Sequence, residues 1–392
     1  MLAFYGCSMV NVFAAAPTTI FDHMSGLARQ HQAINLGQGF PDDPGPLIVR
    51  QKAADEAING WNQYPPMMGI EQLRRAIANH YSSTQGLSID WALETMVTSG
   101  ATEALAASIL GIVEPGDEVI LFQPFYDAYL PLILRAGGIP RFVDLDPHDW
   151  SFQPSQLRAA FSNRTRAIIF NDPLNPIASC STPEQRQLIA DLCDEHDVIA
   201  ICDEVWEEVV FDGVIHQSLF SLPKMRSRTI KIGSAGKIFS LTGWKVGFVV
   251  AEHELLSVVA RAHQFLTFTT PPNLQAAVAL GLEKATTLLP GMRQSFQSSR
   301  DYLWSGLAKR GFKVLPSKGT YFLNVDISEF GMPDTVFCDR LVREFGVASI
   351  PVSAFYAKDP VFSVVRFCFA KKQETLDEGL RRLDGAASAL GV

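Results

Sequence analysis

"TIKIGSAGKIFSLTGWKVGFVV" occupies residues 229–250. Two β-rich runs, 229–232 and 247–250, enclose glycines, small residues and aromatics whose only charges are Lys237 and Lys245. The default for a loop lysine is solvent exposure. This loop, however, follows directly on a strand, and ligands of parallel α/β sheets bind just beyond the carboxyl ends of the strands. Partial burial there lowers the pKa of a lysine and favours its neutral amine.

The same texture extends outward. Short β-rich runs at 95–98, 118–122, 141–144, 167–170 and 198–202 alternate with amphipathic helical stretches, the pattern of a mostly parallel sheet covered by helices. Helix signals between them are well formed: Thr182 can cap, Pro183 sits at the first helical position and Gln185 completes a capping box. Beyond residue 285 the pattern changes to a long helix at 292–310, strands at 320–325 and 364–369, and a final helix from Gln373. The expectation is an α/β protein with a large seven-stranded domain, 47–285, and a smaller α+β domain made of 1–46 and 286–392.

Composition narrows the function. The 392 residues are 47% hydrophobic and 19% charged, ordinary for a globular protein, and the net charge is −8 with no basic runs. Nucleic acid is an unexpected partner for such a surface. No apolar run reaches the length of a membrane span, so no membrane partner is expected either. The six cysteines lack C-x-x-C spacing and the eight histidines lack ligand spacing, which predicts a reducing, cytoplasmic location and no metal. Residues 1–16 are apolar but lack the basic start of a signal peptide, and read as an N-terminal arm, with Met9 an alternative start.

The residues after each predicted strand carry the chemistry. Ser99-Gly100-Ala101-Thr102 runs straight into a helix predicted over 102–113, offering free N–H groups and a positive dipole end to an anion. Any strand-to-helix turn favours Gly and Ser, so the motif alone is weak. Ser234 and Lys245 add a hydroxyl and a cation, which makes phosphate the natural anion. Lys237 beside such a site is placed to hold an aldehyde cofactor as a Schiff base. Asp203 ends an apolar strand; it either caps a turn or holds a proton on a heteroaromatic nitrogen. Arg366 shares a strand face with Val364 and Cys368, and needs an anion there, either an internal carboxylate or a substrate's.

With Lys237, Asp203, Asn175 and Arg366 together, the sequence resembles the pyridoxal-phosphate-dependent aminotransferases of fold type I, class I/II. Within them it is most similar to the glutamine transaminase K, kynurenine aminotransferase and methionine aminotransferase branch. "INLGQGFPD", "NQYPPMMG", "SGATEAL", "GDEVILFQPFYDAY", "GTYFLNVDI", "IPVSAFY" and "VVRFCFAKKQETLDEGL" carry the resemblance along nearly the whole chain. It implies a Schiff base on Lys237, Asp203 on the pyridine nitrogen, Phe125 stacked on the ring and Asn175 on the ring oxygen and the substrate carboxylate. It further implies phosphate held by Gly100, Ala101, Thr102, Ser234 and Lys245. Arg366 would clamp the α-carboxylate under Gly37, and Tyr64 would reach in from the partner of a homodimer.

Two positions depart from the family pattern. Trp206 stands where a tyrosine is usual, so an indole N–H is expected to donate to the ring oxygen in its place. "NPIAS" (175–179) replaces the commoner Asn-Pro-x-Gly-Lys and alters the turn at Ala178. The expected reaction is ping-pong transfer from a neutral, bulky or aromatic L-amino acid to a 2-oxo acid. The substrates are thus small molecules, with Phe21, Tyr126, Phe268, Tyr321 and Phe322 as candidate apolar lining. A cysteine-conjugate β-lyase and a non-catalytic pyridoxal-phosphate-binding protein are the alternatives.

Overall fold

The computed structural model describes residues 19–391. The N-terminal arm, Met9 and Cys7 lie outside the described residues. Seven strands form one sheet: β1 (Thr95–Thr98), β2 (Glu118–Gln123), β3 (Ile139–Asp144), β4 (Thr165–Asn171), β5 (Ile199–Asp203), β6 (Thr229–Ser234) and β7 (Gly247–Val250). Their spatial order is β1-β7-β6-β5-β4-β2-β3. All neighbours are parallel except β7, which runs antiparallel to both β1 and β6. All seven predicted strands are present. Four of them continue to a polar end residue, Gln123, Asn171, Asp203 or Ser234, which the apolar pattern could not include.

Neighbouring residues on a strand point to opposite faces, so a sheet covered on both sides needs unbroken apolar runs. Ile169, Ile201 and Ile232 join Leu105 and Ile109 of the helix Ala101–Ile112 in one apolar cluster. Ile168, Ala200 and Cys202, one residue away, join Leu157, Ile189 and Leu192 in another. A third gathers Val97, Phe248 and Val250 with Val49, Leu73 and Val278 from the helices Leu47–Asn59, Glu71–Gln85 and Pro272–Glu283. The helix Pro183–Glu195 starts with the expected Thr182–Gln185 capping box.

A second sheet of four antiparallel strands follows: β8 (Lys313–Val314), β9 (Phe322–Asp326), β10 (Ile350–Pro351) and β11 (Val364–Cys368), in the order β10-β11-β9-β8. Ile34–Asn35 pairs in parallel with Val347–Ala348, which supports our proposal that the N-terminal segment and the C-terminal part form one unit. The long helix spans Ala285–Ala308 and begins earlier than expected. Pro290 lies inside it; the proline ring already has a helical φ, and its cost there is one lost i→i−4 bond. Among the described residues no helix is long and apolar enough to cross a membrane.

Beneath the carboxyl edge lies a buried ionic cluster. Lys231, fully buried on β6, donates to Glu204 and, at 2.6 Å, to Glu207. Glu207 also accepts from the Tyr81 hydroxyl at 2.6 Å, and His216 Nε2 lies 2.8 Å from Glu204. Glu204, Glu207 and His216 have metal-ligand spacing, but the Lys231 ammonium already stands against both carboxylates. Burial alone would raise the Glu204 pKa; Lys231 and His216 instead hold it at about 2.

Gly247 opens β7 against the start of the helix Ala101–Ile112. A Cβ there would lie 2.6 Å from the Gly100 carbonyl carbon and 2.7 Å from the Ala101 nitrogen, both backbone atoms. Gly247→Ala is therefore expected to lower stability by about 1–3 kcal/mol, read by urea unfolding, and to weaken retention of an anionic ligand at Gly100.

Candidate active site

Asn171, Asp203 and Ser234 end adjacent parallel strands, so their side chains meet at one edge of the sheet. The single helical turn Ala235–Ile238 follows and carries Lys237. These residues border a cavity of about 230 Å³. At one end are Gly100, Ala101, Thr102, Ser234 and Lys245; at the other are Asn175, Asp203, Trp206 and Lys237.

The first end is built for an anion. Gly100 caps the helix at φ 84°, ψ 168°, a backbone conformation only glycine adopts without strain. A Cβ on it would lie 3.0 Å from Lys245 Cε and 3.4 Å from its Nζ, so the glycine keeps the cradle open beside the ammonium. Lys245 itself is exposed and precedes β7 by two residues.

The second end is drier. Protein encloses the Lys237 amine, although the side chain as a whole is only half-buried because part of it faces the cavity. Burial lowers its pKa to about 8, against an opposing attraction from Cys368 and Asp203. Lys237 Nζ donates to the Tyr321 hydroxyl at 2.9 Å and lies 4.5 Å from the centre of the Trp206 ring. Asp203 is buried; burial raises its pKa, and the hydrogen bond from Tyr129 Oη at 2.6 Å opposes the rise.

Arg366 is 1% exposed and forms no salt bridge to a described residue. Its Nη1 donates to Asn175 Oδ1 at 2.8 Å, its Nη2 to the Gly37 carbonyl at 3.4 Å, and its buried Nε has no partner. Phe322, Phe355 and Phe21 surround the guanidinium, 3.9, 5.1 and 5.4 Å from ring centre to Cζ. Burial pulls its pKa down to about 10. Among the described residues no carboxylate comes within salt-bridge distance of it, and Asp127 acts on it only through longer-range attraction.

Nine of the expected site residues thus line one cavity, with Arg366 and Gly37 joined to it through Asn175. Phe125 is not among them. It stacks on Phe142, ring centres 6.1 Å apart, and lines a separate cavity of about 400 Å³ that contains neither Lys237 nor Asp203. The aromatics on the wall of the lysine cavity are its neighbour Tyr126 and Trp206. Tyr64 is 82% exposed and touches Phe268, away from the cavity of its own chain. Ala178 adopts φ 57°, the left-handed backbone that a glycine would take there without strain. Two residues were missed in their roles: Tyr129, the partner of Asp203, and Tyr321, expected only as apolar lining and found on Lys237.

The seven-stranded, mostly parallel sheet with its covering helices is the fold of the fold type I aminotransferases. Residues 31–383 match the model of the class I and II aminotransferases, and the chain belongs to that family of pyridoxal-phosphate-dependent enzymes. It is 43% identical over 380 residues to a probable N-succinyldiaminopimelate aminotransferase of Mycobacterium tuberculosis, covering 93% of this chain and 95% of that one. Identity is 40% over 367 residues to the methionine aminotransferase of Escherichia coli, with the same coverage. It is 37% over 395 residues to human kynurenine–oxoglutarate transaminase 1, covering 91% and 93%. The solved M. tuberculosis N-succinyldiaminopimelate aminotransferase superposes with a TM-score of 0.93 at 42% identity, over 98% of this chain and all of that one.

The lowered pKa has a direct consequence in the cofactor-free protein. Only a neutral amine is acylated, so modification of Lys237 by acetic anhydride should become half-maximal near pH 8, rising as pH increases. The modification is read at the Lys237 peptide by mass spectrometry.

Proposed function

We propose that the chain moves the amino group of a neutral, bulky or aromatic L-amino acid, of the methionine, glutamine, phenylalanine or kynurenine type, to a 2-oxo acid. The observation that carries this reading is Arg366: a buried guanidinium with no salt bridge to a described residue, ringed by Phe21, Phe322 and Phe355. It offers one carboxylate site in apolar surroundings. Among the described residues that line the cavity there is no arginine beyond the neighbouring Arg366 to receive a second, distal carboxylate.

The residues fit pyridoxal 5'-phosphate. The Gly100 cradle that a Cβ would close, with Ala101, Thr102, Ser234 and Lys245, would hold the phosphate. Asp203 would hold a proton at the pyridine nitrogen, oriented by Tyr129. Phe125, or Tyr126 beside it on the cavity wall, would face the ring, and Asn175 and Trp206 would reach its oxygen. When bound, the cofactor supplies an electron-withdrawing ring that stabilises negative charge at the substrate Cα.

The remaining work falls to the chain's own residues. Arg366 binds the α-carboxylate through its planar fork and fixes the amino acid in one orientation. Lys237, with a pKa near 8, is partly neutral at physiological pH; it takes a proton at Cα and returns it one step later. The same geometry serves β-elimination where the substrate carries a leaving group, and release of pyruvate and ammonia without an amino acceptor is its signature.

A donor panel tests the reading. Methionine, glutamine, phenylalanine or kynurenine should exceed aspartate by about 100-fold or more in kcat/KM, and Lys237→Ala should abolish turnover with every donor. A preference for aspartate, or for N-succinyldiaminopimelate, overturns the neutral-donor reading.

We further propose a homodimer in a cytoplasmic setting. Five described cysteines are free, in keeping with a reducing compartment. Trp61, Tyr64 and Phe265 are 71%, 82% and 85% exposed in the single chain, an unusual number of bare aromatics for a monomer's surface. Sedimentation should give twice the 43.1 kDa chain mass. Tyr64→Phe should keep that mass and weaken pyridoxal-phosphate binding about tenfold, the loss expected for one charge-assisted hydrogen bond.

A further inference from the structure

Tyr321 is fully buried, yet its hydroxyl is not a passive end of a packed ring. It accepts from Lys237 Nζ at 2.9 Å and donates to the Gly39 carbonyl at 2.8 Å. Its ring meets Trp206 edge-on, centres 4.4 Å apart and planes at 87°, and packs against Phe322 at 5.1 Å. Trp206 offers Lys237 only the face of its indole, because the phenol usual at that position is absent. Among the described residues, the Tyr321 hydroxyl is the single hydrogen-bond partner of the Lys237 amine.

Gly39 extends the connection. A Cβ there would lie 2.7 Å from Phe322 Cζ, so only a glycine brings the 37–39 backbone down onto the aromatic pair. Two residues away, the Gly37 carbonyl accepts from Arg366. One short segment is therefore tied at one carbonyl to the guanidinium and at the next but one to the phenol that holds the lysine.

We propose that Tyr321 is a positioning residue for Lys237, holding its amine against Trp206 and tying its orientation to the Gly37–Gly39 segment that Arg366 grips. The reasoning is geometric. Proton transfer needs the amine within about 3 Å of the reacting carbon's proton, and a flexible four-carbon side chain reaches that position only part of the time unless a fixed partner restrains it. The phenol is such a partner: packing fixes its ring, and Gly39 fixes the direction of its O–H and leaves its lone pairs to accept. Burial keeps it un-ionised, its pKa well above 10. The other ionisable groups that face Lys237 are Asp203, Cys368, Arg366 and Lys245, and none of them hydrogen-bonds the amine.

Accepting a hydrogen bond from the amine favours its protonated form, so removing the phenol oxygen should lower the lysine's pKa further. The proposal rests on Lys237 being the reacting amine, and the two fail separately: turnover by Lys237→Ala sinks that reading whatever Tyr321 does. Tyr321→Phe keeps the ring and deletes the hydroxyl. The expected result is a kcat reduced about tenfold with KM within about twofold of wild type. In the cofactor-free variant, the midpoint for acetylation of Lys237 by acetic anhydride should move to lower pH, while the other lysines keep theirs. Incorporation of 3-fluorotyrosine at position 321 preserves the fold if Tyr321→Phe does not; its weaker acceptor oxygen should move the midpoint in the same direction by less. Unchanged kcat and an unchanged Lys237 midpoint in a folded variant would overturn the proposal and leave Tyr321 as packing alone.

Discussion

Gly247 has room for a hydrogen and nothing larger, and the site depends on that contact. An antiparallel strand begins where its parallel neighbours end. Because β7 alone reverses direction, its first residue pairs with Thr98 at the end of β1 and with Ser234 at the end of β6. Lys245, just before it, therefore arrives at the same edge as Lys237, just after β6. A seventh parallel strand would have started at the far edge and delivered nothing there. The close approach of Gly247 to Gly100 and Ala101 then seats the second lysine beside the helix N-terminus, which is why two cations with so few neighbouring charges can share one cavity.

Three of the cations in the described interior, Lys231, Lys237 and Arg366, differ in what surrounds them. Lys231 has two carboxylates against it, with Tyr81 and His216 completing the cluster, so its desolvation is offset within the fold. Lys237 and Arg366 have no carboxylate within salt-bridge distance, and burial lowers the pKa of both. Leaving a charge uncompensated in the interior costs several kcal/mol, and a fold selected for stability alone would have paired or removed it. A ligand that brings the missing anion recovers part of that cost on binding.

The sheet was legible because strands buried on both faces leave long apolar runs, and their polar end residues drew attention to the right edge. Lys237, Asp203, Ser234 and Lys245 were readable for that reason. Phe125 and Tyr126 are adjacent on a segment with no strand alternation to say how each ring turns; Phe125 stacks on Phe142 and Tyr126 lines the lysine cavity. Tyr129 and Tyr321 lie 74 and 84 residues from the groups they serve, and a tyrosine that hydrogen-bonds a distant side chain has the same local pattern as one that fills a core. The partners of Arg366 were hidden likewise: sequence required an anion near it, and only the fold shows that the protein supplies a neutral amide instead.

That amide links the two halves of the site. The Asp203 carbonyl accepts from Asn171 Nδ2 at 2.7 Å, and Asn171 Oδ1 accepts from the Asn175 backbone N–H at 2.9 Å. Asn175 Oδ1 accepts from Arg366, which continues to Gly37. Each of these polar groups is buried or nearly so, and an unmet partner in such a chain costs about 1–3 kcal/mol. Movement of the 37–39 segment therefore changes the hydrogen bonding of Arg366, and through Asn175 the backbone that frames Asp203. The tie from Gly39 through Tyr321 reaches Lys237 from the opposite side. The acid, the amine and the guanidinium are consequently not three independent groups at a sheet edge: a chain of hydrogen bonds connects each of them to one short segment of backbone.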